Sequence, residues 1–180
     1  MATSGEWTGP VADDLARTTR AGFGRLAVAV AIITTLDDGQ PHGCTGMAWA
    51  EHATPPLMLT TLRTGGRTRE LVGSVRRFGV NVLSQEQQAH VATFAARAAG
   101  PGGRFSGVPF APGPVYGVPV LDGCLASFEC EVRDIYPFGG HDIVVGQVAW
   151  AAAAAEGRPV VHYDGHLWGL RETDAPGAAR

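Results

Sequence analysis

The sequence predicts a mainly β, single-domain protein, an antiparallel barrel that is closed or nearly closed with helices packed outside. Three observations carry this. The chain has 180 residues, the size of one ordinary domain. Hydrophobic residues make up 45% and charged residues 17%, a core-forming composition. About eight short alternating or β-branched runs are joined mostly by tight Gly, Asp-Gly and Pro turns, too short for parallel crossovers.

The elements follow in order. Residues 1–10 and 172–180, rich in small, polar and Pro residues, read as frayed ends around a domain over 11–171. Val11, Leu15 and Ala16 share one face of an amphipathic helix over 11–24, stopped by Gly22 or Gly24. AVAVAIITT (27–35) is too apolar for a half-exposed strand and reads as a buried one, with Asp37-Asp38-Gly39 as its turn and 42–49 as the returning strand. Pro55-Pro56 leads into a strand over 57–62, a glycine turn over 63–68, a helix over 68–75 and a strand over 78–83. Ser84, with Gln87 three residues on, opens a helix over 85–99 by a capping box. Residues 100–118 are a Gly/Pro-dense loop. Ala126, Phe128, Cys130 and Val132 alternate with polar residues as a half-buried strand over 126–133. The strand over 141–152 carries Gly146, the mark of a bulge or a close backbone approach. A hairpin over 158–170 turns at Asp164-Gly165.

Several chemistries are excluded. All basic residues are Arg, so a Schiff-base or P-loop lysine cannot exist. A formal charge of −3 argues against a nucleic-acid binder. GxGxxG, GxSxG and HExxH are absent. Cys44, Cys124 and Cys130 lack CxxC spacing, so no structural metal is expected and reduced thiols in a cytoplasm are the simplest reading. No signal peptide or membrane-spanning run is read from the sequence. His162 and His166 flank the Asp-Gly turn instead of sharing a helical face. Cys44 lies in an apolar run without an obvious base and reads as a packed thiol.

Two segments have binding logic. Arg63-Thr64-Gly65-Gly66-Arg67-Thr68 joins a strand to a helix start. Its glycines let backbone N–H groups turn outward, and the helix N-terminus with Arg67 and Thr68 adds positive charge and donors, which makes a phosphate cradle without a P-loop. The alternative is a plain connection with solvated arginines. Gly43-Cys44-Thr45-Gly46-Met47-Ala48-Trp49 is a strand of mostly small residues, either open to a flat ligand or packed closely on a neighbour.

From Phe23 to Leu170 the chain resembles the flavin reductase family with the FMN-binding split-barrel fold. The resemblance rests on ordered pieces: Gly24 to Val30, Gly43 to Trp49, Pro55-Pro56-Leu57, Gly66-Arg67-Thr68, Phe78 to Leu83, Arg104 to Val108, and Gly139 to Val148. It implies a single-domain split β-barrel, flavin-reductase-like, that works as a homodimer. It also implies an NAD(P)H:flavin oxidoreductase passing a hydride from NADH, less so NADPH, to FAD or FMN. Reduced flavin would then diffuse to a partner monooxygenase. Residue by residue, it implies that Thr45, Gly46, Met47, Ala48 and Trp49 line the flavin ring. The turn with Arg63, Gly66, Arg67 and Thr68 would hold the flavin phosphate, Phe105 would border the site, and His141 would position the nicotinamide. The chain departs from the family pattern where Gly140 replaces an Asp, Asp142 follows the histidine, Met47 replaces a small polar residue and Val28 replaces Thr or Ser. Met47 and Gly140 leave open one alternative, a tightly held flavin acting directly on an organic substrate; a second is a non-catalytic flavin-binding module that has lost the nicotinamide site.

Overall fold

The computed structural model describes residues 12–96 and 103–170. The segments 1–10 and 172–180, read above as frayed ends, lie outside the described residues, as does the end of the helix expected over 85–99. Among the described residues are three α-helices, α1 (Ala12–Phe23), α2 (Arg67–Val75) and α3 (Gln88–Ala95). The strands are β1 (Val28–Ala29), β2 (Ala31–Asp37), β3 (Gln40–Gly46), β4 (Ala48–Glu51), β5 (Leu57–Arg63), β6 (Arg77–Val82), β7 (Phe110–Pro112), β8 (Pro119–Leu121), β9 (Ala126–Phe138), β10 (His141–Ala153), β11 (Val160–Tyr163) and β12 (His166–Gly169).

The main sheet has seven antiparallel strands in the order β3-β2-β6-β9-β10-β5-β4. Its two edge strands are neighbours in sequence, separated by Met47 alone. A single residue spans only a few ångströms, so the sheet must curl until its edges meet. The Thr60 hydroxyl on β5 donates to the Met47 carbonyl at 2.8 Å and fastens the seam. No ladder joins β3 to β4, so the barrel is split along this line.

Period-2 alternation sorts the side chains into two cores. Ile33, Met58, Leu62, Phe78, Val80, Cys130, Val132 and Val144 fill the barrel, and Val72 of α2 closes one end. On the other face of β2, Ile32 joins Val30, Leu83, Phe94, Val108, Leu121 and Val160 beneath α3 and β8. The bulge expected at Gly146 is present: register shifts between Val145 and Gly146. A Cβ there would lie 2.5 Å from Phe78 Cε1, so this glycine is also the close approach.

The structure corrects several boundaries. The run 27–35 is broken at Val30, whose N–H donates to Val160 O and whose carbonyl accepts from Leu83 N, so it bridges two sheets. The expected strand 42–49 begins earlier and breaks at Met47. The helix expected over 85–99 opens as one 3₁₀ turn over Gln85–Gln87, with both halves of the Ser84/Gln87 capping box formed, before α3. The supposed loop over 100–118 contains β7, paired with the unforeseen β8.

Candidate functional site

The turn after β5 is built by its glycines. Gly65 has φ +68°, a left-handed conformation that favours glycine. The Gly66 N–H donates back to Arg63 O at 2.9 Å, and a Cβ on Gly66 would lie 2.9 Å from that same oxygen. Gly66 is the N-cap of α2 and has no side chain to cap it. Among the described residues the first N–H groups of α2 therefore have no intrahelical partner and no capping side chain, and the positive end of the helix dipole lies at this turn.

Around this terminus stand Thr68, Arg67 and a residue not foreseen, His42. Thr68 is buried, with its hydroxyl 3.1 Å from His42 Nε2 on β3. Burial, helped by the Arg104 charge and opposed by Asp37, holds the His42 imidazole below its ordinary value, so it is neutral at pH 7. Arg67 is exposed and forks onto Asp37, with Nη2–Oδ1 at 2.6 Å and Nε–Oδ2 at 3.2 Å. The hydrogen bond and the charge of Arg67 hold the Asp37 carboxyl below its usual range. Such an exposed pair is weak and readily exchanged for another anion.

The glycine-rich strand β3 is an edge strand, paired among the described residues with β2 alone. Half of its N–H and C=O groups therefore point away from any ladder. Thr45 turns its hydroxyl to Val91 O at 2.8 Å, and Gly46 packs on Ile33. Met47 is part-exposed at the seam. Ala48 packs on the barrel core, whereas Trp49 is exposed. Behind the strand Arg104, also not foreseen, donates to Gly43 O at 2.9 Å and Ala96 O at 2.6 Å, while its buried Nε has no partner among the described residues. Phe105 is stacked edge-on between Phe94 and Phe110, each 5.0 Å away, and packs against the second core.

His141 begins β10 and pairs with Arg63 on one side and Phe138 on the other. Cross-strand partners share a face, so Arg63, His141 and Phe138 form one row, and Trp49 lies further along the same outer face through Leu59. The next residue, Asp142, points the other way and is 2% exposed. Its carboxylate accepts from Thr64 Oγ1 at 2.7 Å and Arg69 Nε at 2.5 Å, and these bonds hold its carboxyl below the usual range. The structure thus gathers Arg63, Gly66, Arg67, Thr68 and His141 at one corner of the barrel. Thr45, Gly46 and Met47 lie along the adjoining edge, linked to that corner through His42. Phe105 stands among the core aromatics behind β3. Burial raises the Cys44 thiol above its ordinary value and pushes Cys124 up to about 11 and Cys130 up to about 12, which disfavours the thiolate at each. His166 Nδ1 lies 2.8 Å from Asp164 O at the far hairpin.

A split barrel with an open glycine-rich edge beside an uncapped helix is a fold with known relatives. Residues 23–171 match the flavin reductase like domain, and the chain belongs to this family of oxidoreductases. Among curated relatives it is similar to the reductase subunit HsaB of a flavin-dependent monooxygenase from Rhodococcus jostii. The two are 32% identical over 152 residues, covering 84% of this chain and 76% of that one. It is also similar to the NADH-dependent FMN reductase AsuE2 of Streptomyces nodosus subsp. asukaensis, 33% identical over 159 residues, 85% of this chain and 84% of the relative. Among solved structures, nitrilotriacetate monooxygenase component B from Mycobacterium thermoresistibile superposes with a TM-score of 0.83 at 33% identity, covering 94% of each chain. No helix among the described residues is long and apolar enough to cross a membrane.

Proposed function

We propose that the chain oxidises NADH, transfers the hydride to FAD or FMN, and releases reduced flavin to a partner monooxygenase. The observation that carries this reading is the union at one corner of an open glycine-rich edge and an uncapped helix N-terminus. The flavin and the nicotinamide bring the redox chemistry, two electrons and a proton moving together as a hydride. The names of HsaB and AsuE2 support the partner class and the nicotinamide choice.

The residues have separable tasks. The α2 N–H groups, Thr68 and Arg67 bind the flavin phosphate, with Arg67 leaving Asp37 to do so. The free edge of β3 at Thr45 and Gly46, with Met47 beside it at the seam, lies along the flavin ring and presents backbone donors and acceptors to it. Donors so placed stabilise the negative charge that builds on a reduced ring. His141, exposed in the row with Arg63, orients the nicotinamide. Positioning two rings accounts for the rate without an acid, base or nucleophile. The outer face of β4, β5, β10 and β9 exposes Trp49, Tyr136 and Phe138, and a second copy of the chain covers it in the homodimer, with the His141–Arg63 row at the boundary between the two copies.

The test is NADH oxidation by the purified protein with FAD, FMN or no added flavin, followed by absorbance. Saturable dependence on added flavin is expected. His141→Ala should raise the KM for NADH far more than that for flavin. A protein that arrives with bound flavin and ignores added flavin would instead act directly on another substrate.

A further inference from the structure

We propose that Asp142 is a positioning residue that clamps the phosphate-binding turn to the nicotinamide strand. This rests on the reductase reading above. The turn contains two consecutive glycines, Gly65 and Gly66, the most freely rotating pair a chain can place in a loop. One carboxylate grips both flanks of that pair. Thr64, immediately before the glycines, donates to Oδ1 at 2.7 Å, and Arg69, in the first turn of α2, donates to Oδ2 at 2.5 Å. A third tie runs from Thr64 N to Gly140 O at 3.0 Å. The Asp142 side chain is 4% exposed and the Arg69 side chain 28%, so water competes little for this pair.

The clamp reaches His141 through the backbone. Successive residues of a strand point to opposite faces. Fixing Asp142 on the core face therefore fixes His141 on the outer face, in register with Arg63 at the end of β5. The phosphate donors and the nicotinamide residue become one rigid corner. Arg69 is thereby removed from ligand binding, and its charge is spent on geometry.

The test compares Asp142→Asn, Thr64→Val and Thr64→Ser with wild type. Fluorescence titration with FMN and with riboflavin, which lacks the phosphate, gives binding without turnover. Steady-state kinetics give both KM values and kcat, and thermal unfolding reports the fold. An Asn side chain can accept one of the two bonds but turns an N–H toward the other donor. Asp142→Asn is expected to weaken FMN on the order of tenfold while sparing riboflavin. It should also raise the NADH KM, with kcat far less affected. Thr64→Val should weaken FMN in the same selective way, and Thr64→Ser should restore it. Equal weakening of FMN and riboflavin, or unchanged KM values with a lower melting temperature, would overturn the clamp and leave Asp142 merely structural. If Asp142→Asn does not fold, the Thr64 pair decides: FMN binding unchanged in Thr64→Val overturns it. A wild type that binds FMN over riboflavin but does not oxidise NADH sinks the reductase reading alone, and the FMN titrations still decide the clamp.

Discussion

Replacing Gly46 by Ala adds one methyl group to the edge strand read here as the flavin wall. A Cβ there would lie 2.9 Å from Ile33 Cγ1 and 3.7 Å from Ile33 Cδ1. Carbon atoms prefer about 3.5–4.0 Å, so the first contact is severe. Ile33 cannot swing aside readily, being fully buried on β2 and stiff at χ1. Overpacking of this kind costs roughly 1–3 kcal/mol, and Gly→Ala returns about 0.4–1 kcal/mol by restricting the unfolded chain, leaving a net loss of about 1.3 kcal/mol at mid-range. For a chain of this size that lowers Tm by roughly 3–5 °C. The strain is relieved by pushing β3 outward toward the ligand, so the flavin KM should rise several-fold while the NADH KM moves less. Gly22→Ala is the control: in α1 its Cβ meets nothing within 4 Å, and it should raise stability by about 0.5–1 kcal/mol. Circular dichroism melts and flavin titrations read both. A Gly46→Ala melt at or above wild type refutes the packing argument. A lowered melt with an unchanged flavin KM refutes the placement of the ring along β3.

Two more outcomes follow from the charges. Asp37→Asn frees Arg67, so the flavin KM should fall by about two- to fivefold at low salt, with the gain fading at high salt; an unchanged or raised KM in steady-state titrations contradicts the exchange of Arg67 between Asp37 and phosphate. His42 has a folded value below its unfolded value of 6.5, so the unfolded chain takes up the proton first. Its contribution to stability is complete above about pH 6.5 and declines as the pH falls below that, whereas Asp37 and Asp142, held low, lose theirs only below about pH 4. His42→Gln should flatten urea-measured stability between about pH 7 and 5 relative to wild type, and parallel curves would show that His42 is not the group responsible.

The sequence discloses what is local or periodic. The strand over 126–133, the Asp164-Gly165 turn, the Ser84/Gln87 capping box and the Gly146 approach all appear in the structure because each depends on near neighbours or on one residue type. The half-buried character expected of 126–133 does not: Ser127 and Glu129 are buried together with Cys130 and Val132, and the Glu129 carboxylate accepts from the Val115 and Tyr116 N–H groups of a distant loop. The breaks at Val30 and Met47 are different. Each interrupts an apolar run because a distant partner, Val160 for one and Thr60 for the other, takes a backbone group out of the ladder. The short β7 and β8 pair through a Pro-Gly-rich stretch that propensity reads as loop. At the candidate site, the residues of the proposed cradle were legible as a glycine turn before a helix. His42 and Arg104 were not, because each acts through contacts made from another element: His42 through Thr68, and Arg104 through the Gly43 carbonyl.

Arg67 and Arg69 show why residue type alone could not separate the arginine proposed to bind phosphate from one that holds the scaffold. They lie two positions apart in the first turn of one helix, and each is paired with an aspartate. The Arg67–Asp37 pair is open to water, with side chains 57% and 37% exposed, so solvent and salt screen it and a phosphate can displace the carboxylate. The Arg69–Asp142 pair has a carboxylate that is 4% exposed, and breaking it would strand a buried charge. The same chemistry is therefore exchangeable at one residue and fixed at the other. The departure from the family pattern at 140 and 142 acquires a physical sense from this difference. An aspartate before His141 would sit at the exposed tip, where Gly140 has no atom within 4 Å of a Cβ position. An aspartate after it is carried by the strand alternation into the barrel wall, where it holds the turn that presents Arg67.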